Sequence, residues 1–367
     1  MERARRGKQS LQKLYDIKSH LATPAFRDFV SSPENKAALL CFLSEEWSNP
    51  RASSPVPLYL SGGFSDETKT MMVDDHDAKV IPELGSTHEE ADNRMVLHSL
   101  YSAEVLGASR IIIHANVTDL VVLCTYYCSR RPAFKELWVK TDRNSFIPVH
   151  DISKSLGKDV CMLLPFFHAF SGKDDTSFLY GLGKKKLWKA LPLINAVPFR
   201  TFAEDLNMPT ANDDLIESCK SLVVHASNGT GHETLADLRT RKFLAGKSGL
   251  LLSLSPTNDA LEQHIKRAAL ATIVSKSSHI PKPDAVDISS YGWCLQGNNA
   301  IKPVYMTKSS FPANLKTFIN CMCKRRCAGN CACSKNNVPC YSGCYCQGKV
   351  PSCSRASYLD PGESDSE

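Results

Sequence analysis

Residues 110–119 read Arg110-Ile111-Ile112-Ile113-His114-Ala115-Asn116-Val117-Thr118-Asp119, and this run decides the fold. Three consecutive isoleucines form a short β-branched strand of the kind buried on both faces of a parallel sheet. Asp119 comes five residues after His114, beyond the carboxyl end of that strand, where open α/β sheets place their ligands. Upstream, His88-Glu-Glu-Ala-Asp-Asn-Arg94 opens a helix. Thr87 and Glu90 fit a capping box for a helix over 88–106, with Met95, Leu97, Leu100, Ala103 and Val105 on its buried face and Gly107 at its end. Downstream come a helix over Leu120–Cys128, a strand over Leu137–Lys140, and helices over Asp151–Leu156 and Val160–Phe170. A loop follows at 171–176. This alternation predicts an α/β layer architecture, a parallel sheet flanked by helices.

Around this centre the chain divides into five segments. Residues 1–55 read as basic and helical: Ser32-Pro33-Glu34 supplies an N-cap, a proline at the first helical position and an early acid, and Ala37, Leu39, Leu40, Phe42 and Leu43 an apolar face. Residues 56–195 hold the α/β domain, with a short strand at Leu58-Tyr-Leu-Ser61 and a polar loop over 62–77. Residues 196–314 form a helical extension, with helices over 202–206, 213–226, 233–244 and 256–274, the last capped by Ser255, and a Pro/Gly-punctuated connector holding Trp293. Residues 315–356 form a cysteine-rich module, and 357–367 an acidic, disordered tail.

With 43% apolar and 22% charged residues the composition is that of a globular protein, and the net charge of +6 argues only mildly for an anionic partner. The N-terminus lacks the apolar stretch of a secretory signal, and no apolar run reaches the length of a membrane span. An intracellular, membrane-free protein is expected.

Glu90, Asp92, Asp119 and Asp174 lie at a helix start, past a strand and in a glycine-bearing loop, with Asp175 adjacent as a possible substitute. Carboxylates are the ligands that Mg²⁺ or Mn²⁺ prefers, and two such ions about 4 Å apart can activate water and stabilise the leaving oxygen of a phosphodiester. The competing reading is surface acid at helix ends, where the macrodipole favours it; with 38 acidic residues in the chain, spacing alone favours this surface reading. Gly181-Leu-Gly-Lys184-Lys185-Lys186 could cradle phosphate or be an ordinary solvated helix start. His88, His98, His114 and His168 read as packing or hydrogen-bonding residues, because no second soft ligand sits at helical spacing from any of them.

Glu90-Ala-Asp92, the strand leading to Thr118-Asp119, and Gly172-Lys-Asp174-Asp-Thr176 resemble the acidic motifs of the flap-endonuclease-like PIN nucleases. The lysine-rich turn at 181–189 is similar to the helix–two-turn–helix of that superfamily. Residues 1–353 as a whole resemble a transposon-derived group of animal proteins that join such a domain to a cysteine-rich module. The resemblance implies a metal-dependent phosphodiesterase site on Glu90, Asp92, Asp119 and Asp174, with Lys184, Lys185 and Lys186 on the nucleic acid. Two departures from that group fall at the acidic motifs themselves. Val117 stands where the family has an aspartate, and Lys173 replaces a small neutral residue beside Asp174. Both changes weaken metal binding, which implies an impaired nuclease or, alternatively, a non-catalytic DNA or chromatin adaptor.

Nine of the fifteen cysteines follow the pattern Cys321-x-Cys323-x3-Cys327-x3-Cys331-x-Cys333-x6-Cys340-x3-Cys344-x-Cys346-x6-Cys353. Such density in an intracellular chain points to thiolate–metal coordination rather than disulfides. About three tetrahedral zinc ions need about twelve ligand positions, which nine thiolates supply if six are terminal and three bridge. The pattern resembles the CXC module of tesmin-like and chromatin-associated proteins, which implies zinc, a nuclear location, and DNA as partner with RNA as the alternative. Lys324, Arg325, Arg326 and Lys335 are then candidate phosphate contacts, although they also serve to neutralise the anionic cluster. Six residues separate Cys353 from Cys346 where the family spacing is two, so its place as ninth ligand is open. Nothing in the sequence sets an oligomeric state.

Overall fold

The computed structural model describes residues 14–19, 22, 25–50, 56–142, 145–174, 176–204, 211–245, 254–297, 300–308, 320–323, 331–335, 340, 344–348 and 353. Asp175, Lys324, Arg325, Arg326, Cys327 and the acidic tail lie outside them. Two compact units divide the chain, Met1–Tyr305 and Met306–Glu367.

The first unit is mixed α/β, with small sheets and many helices. Helix α1 (Pro33–Trp47) starts where the sequence predicts, the Ser32 side chain accepting from the Asn35 N–H. Its expected apolar face is not buried. Asn35 and Ser44 are the buried positions: Asn35 holds the Phe29 carbonyl and the Tyr15 N–H, and Ser44 Oγ donates to the Gly62 carbonyl, while Leu40 and Trp47 stay about half exposed. Strands β1 (Leu58–Ser61), β2 (Thr70–Val73) and β3 (Ala78–Val80) form an antiparallel meander. β2 falls inside the stretch read as polar loop; its four residues are too few for alternation to register.

Helix α2 (Ala91–Glu104), β4 (Arg110–His114), α3 (Thr118–Arg130), β5 (Glu136–Lys140) and β6 (Phe146–Pro148) make the central layer. The parallel sheet expected from the sequence is confined to β4 and β5, and β6 adds antiparallel to β5. β4 is therefore paired on one side only among the described residues. Of its three isoleucines only Ile113 is buried, and Ile112 is 52% exposed. An isoleucine run reads the same for an edge strand as for an interior one, so periodicity could not separate the two.

Helix α4 (Val149–Ser171) joins the two halves of the unit. Gly157 has φ 75 and ψ 162 and divides it, at the gap between the two helices expected from the sequence. Beyond the break, Cys161–Ser171 is buried on nearly every side, as a helix apolar all round must be. Met162 packs with Leu120, Leu123, Leu137 and Val139 of the sheet layer. Leu163, Phe166, Phe167 and Phe170 pack into a second core with α5 (Lys184–Ala190), α6 (Val197–Glu204), α7 (Asp213–Ala226), α8 (Leu235–Leu244) and α9 (Asn258–Lys276). That core spans residues 163–291 and so runs across position 195, where the sequence reading places a segment boundary. α8 carries a full capping box between Thr234 and Asp237, and α9 is capped by Thr257 rather than Ser255. A hairpin of β7 (Trp293–Leu295) and β8 (Ile301–Pro303) follows, held by the buried Arg267 guanidinium on the Val304 and Gly292 carbonyls at 2.6 and 3.3 Å. No described helix is long and apolar enough to cross a membrane.

In the second unit the described residues comprise one helical turn, Ala332–Lys335, and a core built of cysteines.

Phe166 is 1% exposed and meets Phe199 and Phe202 edge-on at 5.4 and 5.3 Å between ring centres. Phe166→Ala is expected to cost about 3–5 kcal/mol, read as a lowered urea midpoint with unchanged m. A loss under about 1 kcal/mol would show that this face of α4 is not the keystone.

Candidate functional sites

Asp119 lies in the first turn of α3 and Asp92 in the first turn of α2, both placed where a helix dipole favours a carboxylate. The start of α2 is secured by the segment after α9. The His88 ring bonds the Ile280 carbonyl at 2.9 Å, Ser278 Oγ donates to Asn93 Oδ1 at 2.9 Å, and the Thr87 N–H donates to the Pro281 carbonyl. The expected capping box is absent: Glu90 is itself the N-cap and its side chain makes no cap bond, because His88 and Ser86 hold the preceding turn.

His168, on the buried part of α4, is the centre of the acidic region. Its Nε2 lies 2.8 Å from Asp119 Oδ1, and its Nδ1 lies 3.0 Å from Lys184 Nζ. An ammonium can only donate, so Nδ1 accepts and the ring proton sits on Nε2, facing Asp119. Lys184, which the sequence reading assigned to nucleic acid together with Lys185 and Lys186, is thus turned onto the acid site. The bond from His168 holds the Asp119 carboxyl below its ordinary range, with Lys173 and Lys184 adding to the effect. Asp92 is pushed the other way, by burial first and then by the negative charge of Asp119, with Lys173 opposing the rise. Burial lowers Lys184, and Asp119 and Asp174 pull against that.

The loop carrying Lys173 and the exposed Asp174 is a defined turn. The Lys173 N–H donates to Thr176 Oγ1, whose hydroxyl donates to the Ala169 carbonyl. Gly172, at φ 107, is required, because a Cβ there would stand 2.8 Å from Phe178 Cβ. From α9, His264 ties this loop to α4: Nε2 lies 2.7 Å from the Phe170 carbonyl and Nδ1 2.9 Å from Ser177 Oγ. Burial pushes His264 down to about 4, so it is neutral at pH 7.

The fold therefore couples Asp92 with Asp119, each of them with Lys173, and Lys184 with Asp119 and Asp174. It does not draw them into a metal-ligand set. Among the described residues, the only groups of three or more His, Cys, Asp or Glu whose ligand atoms lie within 4.8 Å of one another are cysteines. As placed, the acids are met by an imidazole N–H and by ammonium groups. Sequence reasoning treated His168 as a hydrogen-bonding residue, which it is, but missed its partners, which lie 49 residues upstream and 16 downstream.

The cysteine cluster has the opposite character. Cys321, Cys331, Cys333 and Cys340 form one group, and Cys340, Cys346 and Cys353 a second. Sulfur–sulfur distances are 3.8 Å for Cys321–Cys340, 3.7 Å for Cys321–Cys346 and 3.4 Å for Cys333–Cys344. A disulfide requires about 2.05 Å. Four thiolates at about 2.3 Å from one zinc stand about 3.8 Å apart along the edges of the tetrahedron. The donor set thus fits zinc, and Cys340, common to both groups, is positioned to bridge. Burial and the Cys344 thiol push Cys333 up to about 12. A bound dication is what would ionise such a thiol at neutral pH. Cys353 is buried within the second group despite its long spacing. Cys323 packs at the edge of the cluster, and Lys335 is exposed at the end of the helical turn.

Two outcomes follow from these geometries. Asp92→Asn is expected to stabilise the protein at pH 7, because the native state there carries a carboxylate that burial and Asp119 disfavour. The native pKa is raised, so the advantage is full above it and vanishes as pH falls to the unfolded value of about 3.9; a variant less stable at pH 7 would contradict this. Cys340→Ala is expected to release more zinc per chain than Cys353→Ala in a colorimetric metal assay, since one thiolate serves both groups; equal losses would refute the sharing. The chain matches no protein-family model, and comparison with curated proteins and with solved structures returns no significant match.

Proposed function

We propose that this chain is a nucleic-acid-binding protein built on a nuclease-like, PIN-like α/β scaffold, whose acidic site is quenched by the protein's own cations. A CXC-type zinc module is joined to it. The observation that carries this reading is the series Lys184 Nζ–His168 Nδ1 and His168 Nε2–Asp119 Oδ1, at 3.0 and 2.8 Å. A two-metal phosphodiesterase needs carboxylates free to take hard cations. Here the central carboxylate is occupied by an imidazole N–H, and two ammonium groups stand within electrostatic reach, where they oppose a dication. Val117, at the N-cap of α3, brings no carboxylate to the same corner. In an intact enzyme of this plan, Glu90, Asp92, Asp119 and Asp174 would hold Mg²⁺ or Mn²⁺, and Lys184, Lys185 and Lys186 would grip the strand.

A second reading, a DNA or chromatin adaptor acting through the zinc module in the nucleus, is favoured by the cluster's tetrahedral sulfur spacing and by exposed Lys335 beside it. DNA is the partner of both readings, with RNA the alternative.

The test is cleavage of labelled branched and single-stranded DNA in Mg²⁺ and in Mn²⁺. The wild-type chain is expected to be silent, and the Val117→Asp, Lys173→Cys, Lys184→Ala triple variant, which removes both ammonium groups, to cleave. Wild-type cleavage that disappears in Asp119→Ala and Asp174→Ala would overturn the quenching. Silence in every variant, with the protein folded, would leave the adaptor.

A further inference from the structure

A cavity of about 190 Å³ opens between the turn before α5, the end of α7 and the face of α8. Tyr180, Gly181, Lys186, Ser227, Asn228 and Lys242 give it its polar walls, and among the described residues no carboxylate lines it. We propose that this cavity binds one phosphate of a nucleic-acid strand, held between Lys186 and Lys242. The proposal rests on the nucleic-acid reading for the source of the phosphate, and on the cavity alone for the chemistry.

Two ammonium groups face one concave site. Lys242 is lowered by burial first, then by the like charges of Arg241 and Lys186. The carboxylate that opposes this lowering, Glu233, is committed elsewhere, since Arg241 holds its two oxygens at 2.7 and 3.0 Å. Lys242 donates to Ser255 Oγ at 3.0 Å and Ser227 Oγ at 3.4 Å, and Lys186 to the Gly181 carbonyl at 2.9 Å. Those partners are neutral and position the side chains without cancelling their charge. An ammonium has three donors, so each lysine retains hydrogen-bonding capacity toward a ligand.

The walls are built. Asn228 takes φ 59 directly after α7, with its N–H on the His225 carbonyl, and this turn presents Ser227 and Asn228 to the cavity. The following Gly229 has no room for a Cβ, which would lie 2.5 Å from Val224. The volume corresponds to about six waters, room for a phosphate and the start of its ester. Tyr180, at 57% exposed, stands at the rim, where a sugar or base attached to that phosphate would meet an aromatic ring. A polymer threading past, with one phosphate seated, satisfies all of these features. Lys242, on α8, lies well outside the glycine- and lysine-rich run that marks this region in the sequence.

The experiment is a salt titration of labelled oligothymidylate binding, followed by anisotropy, for wild type, Lys186→Gln, Lys242→Gln, the double variant and the exposed α1 control Lys36→Gln. Alongside it, inorganic phosphate is tested for thermal protection of the same proteins. One shared phosphate predicts that the double variant loses about 0.7 from the slope of log K against log salt, while two independent contacts predict about 1.4. Phosphate is expected to raise the Tm of wild type and Lys36→Gln but not of the double variant. A slope change near 1.4 would overturn the proposal, as would an unchanged slope with undiminished phosphate protection. Protection that depends on both lysines in a protein that binds no oligonucleotide would keep the site and remove the nucleic-acid reading instead. Because Lys242 also tethers Ser227 and Ser255, Lys186→Gln decides the matter if Lys242→Gln does not fold: retained protection there refutes the site.

Discussion

Burial of α4 beyond Gly157 is the constraint on which the first unit depends. A helix can lose contact with water on all sides only if partners supply a surface for each face. The sheet layer takes one face through Met162, and the helices from α5 to α9 take the rest. The same burial fixes His168, because a side chain on a helix so enclosed has little rotational freedom left. Asp119 and Lys184 therefore meet at a point that the core determines, not the surface loops.

The acid site differs in kind from a surface cluster of charge. Asp92 and Asp119 respond oppositely to one another: a hydrogen bond from His168 stabilises the charge on Asp119, and burial beside that charge disfavours the charge on Asp92. Two carboxyl groups with opposed environments are what acid–base chemistry uses. Lys173 and Lys184 add to the lowering of Asp119, and Lys173 opposes the rise of Asp92. The cysteine cluster is the reverse, a set of buried sulfurs whose geometry makes sense with metal charge among them.

Local signals were legible where local chemistry dominates. Ser32-Pro33 opened α1, Gly157 divided α4, and Asp119 stood past the end of β4, each because a cap, a left-handed glycine or a strand end acts within a few residues. The cysteine spacing was readable for the same reason, since thiols so dense have little else to do. Signals that depend on the third dimension were not readable. Whether Ile112 faced water was decided by which strands lay beside β4. The role of Lys184 was decided by a histidine that its own sequence neighbourhood does not mention. The apolar residues of α1 looked like a buried face, but Asn35 and Ser44 took the inward positions because each satisfies backbone groups that would otherwise be stranded.

Cys340 stands in both groups of sulfurs. When two ions share a ligand, neither binds as an independent event: the first draws the bridging thiol into place and ionises it, and the second finds that work already done. Were both groups filled, the two ions would be coupled through that sulfur. If both groups take an ion, a change at that one sulfur reaches both of them, while a change at Cys353 reaches one.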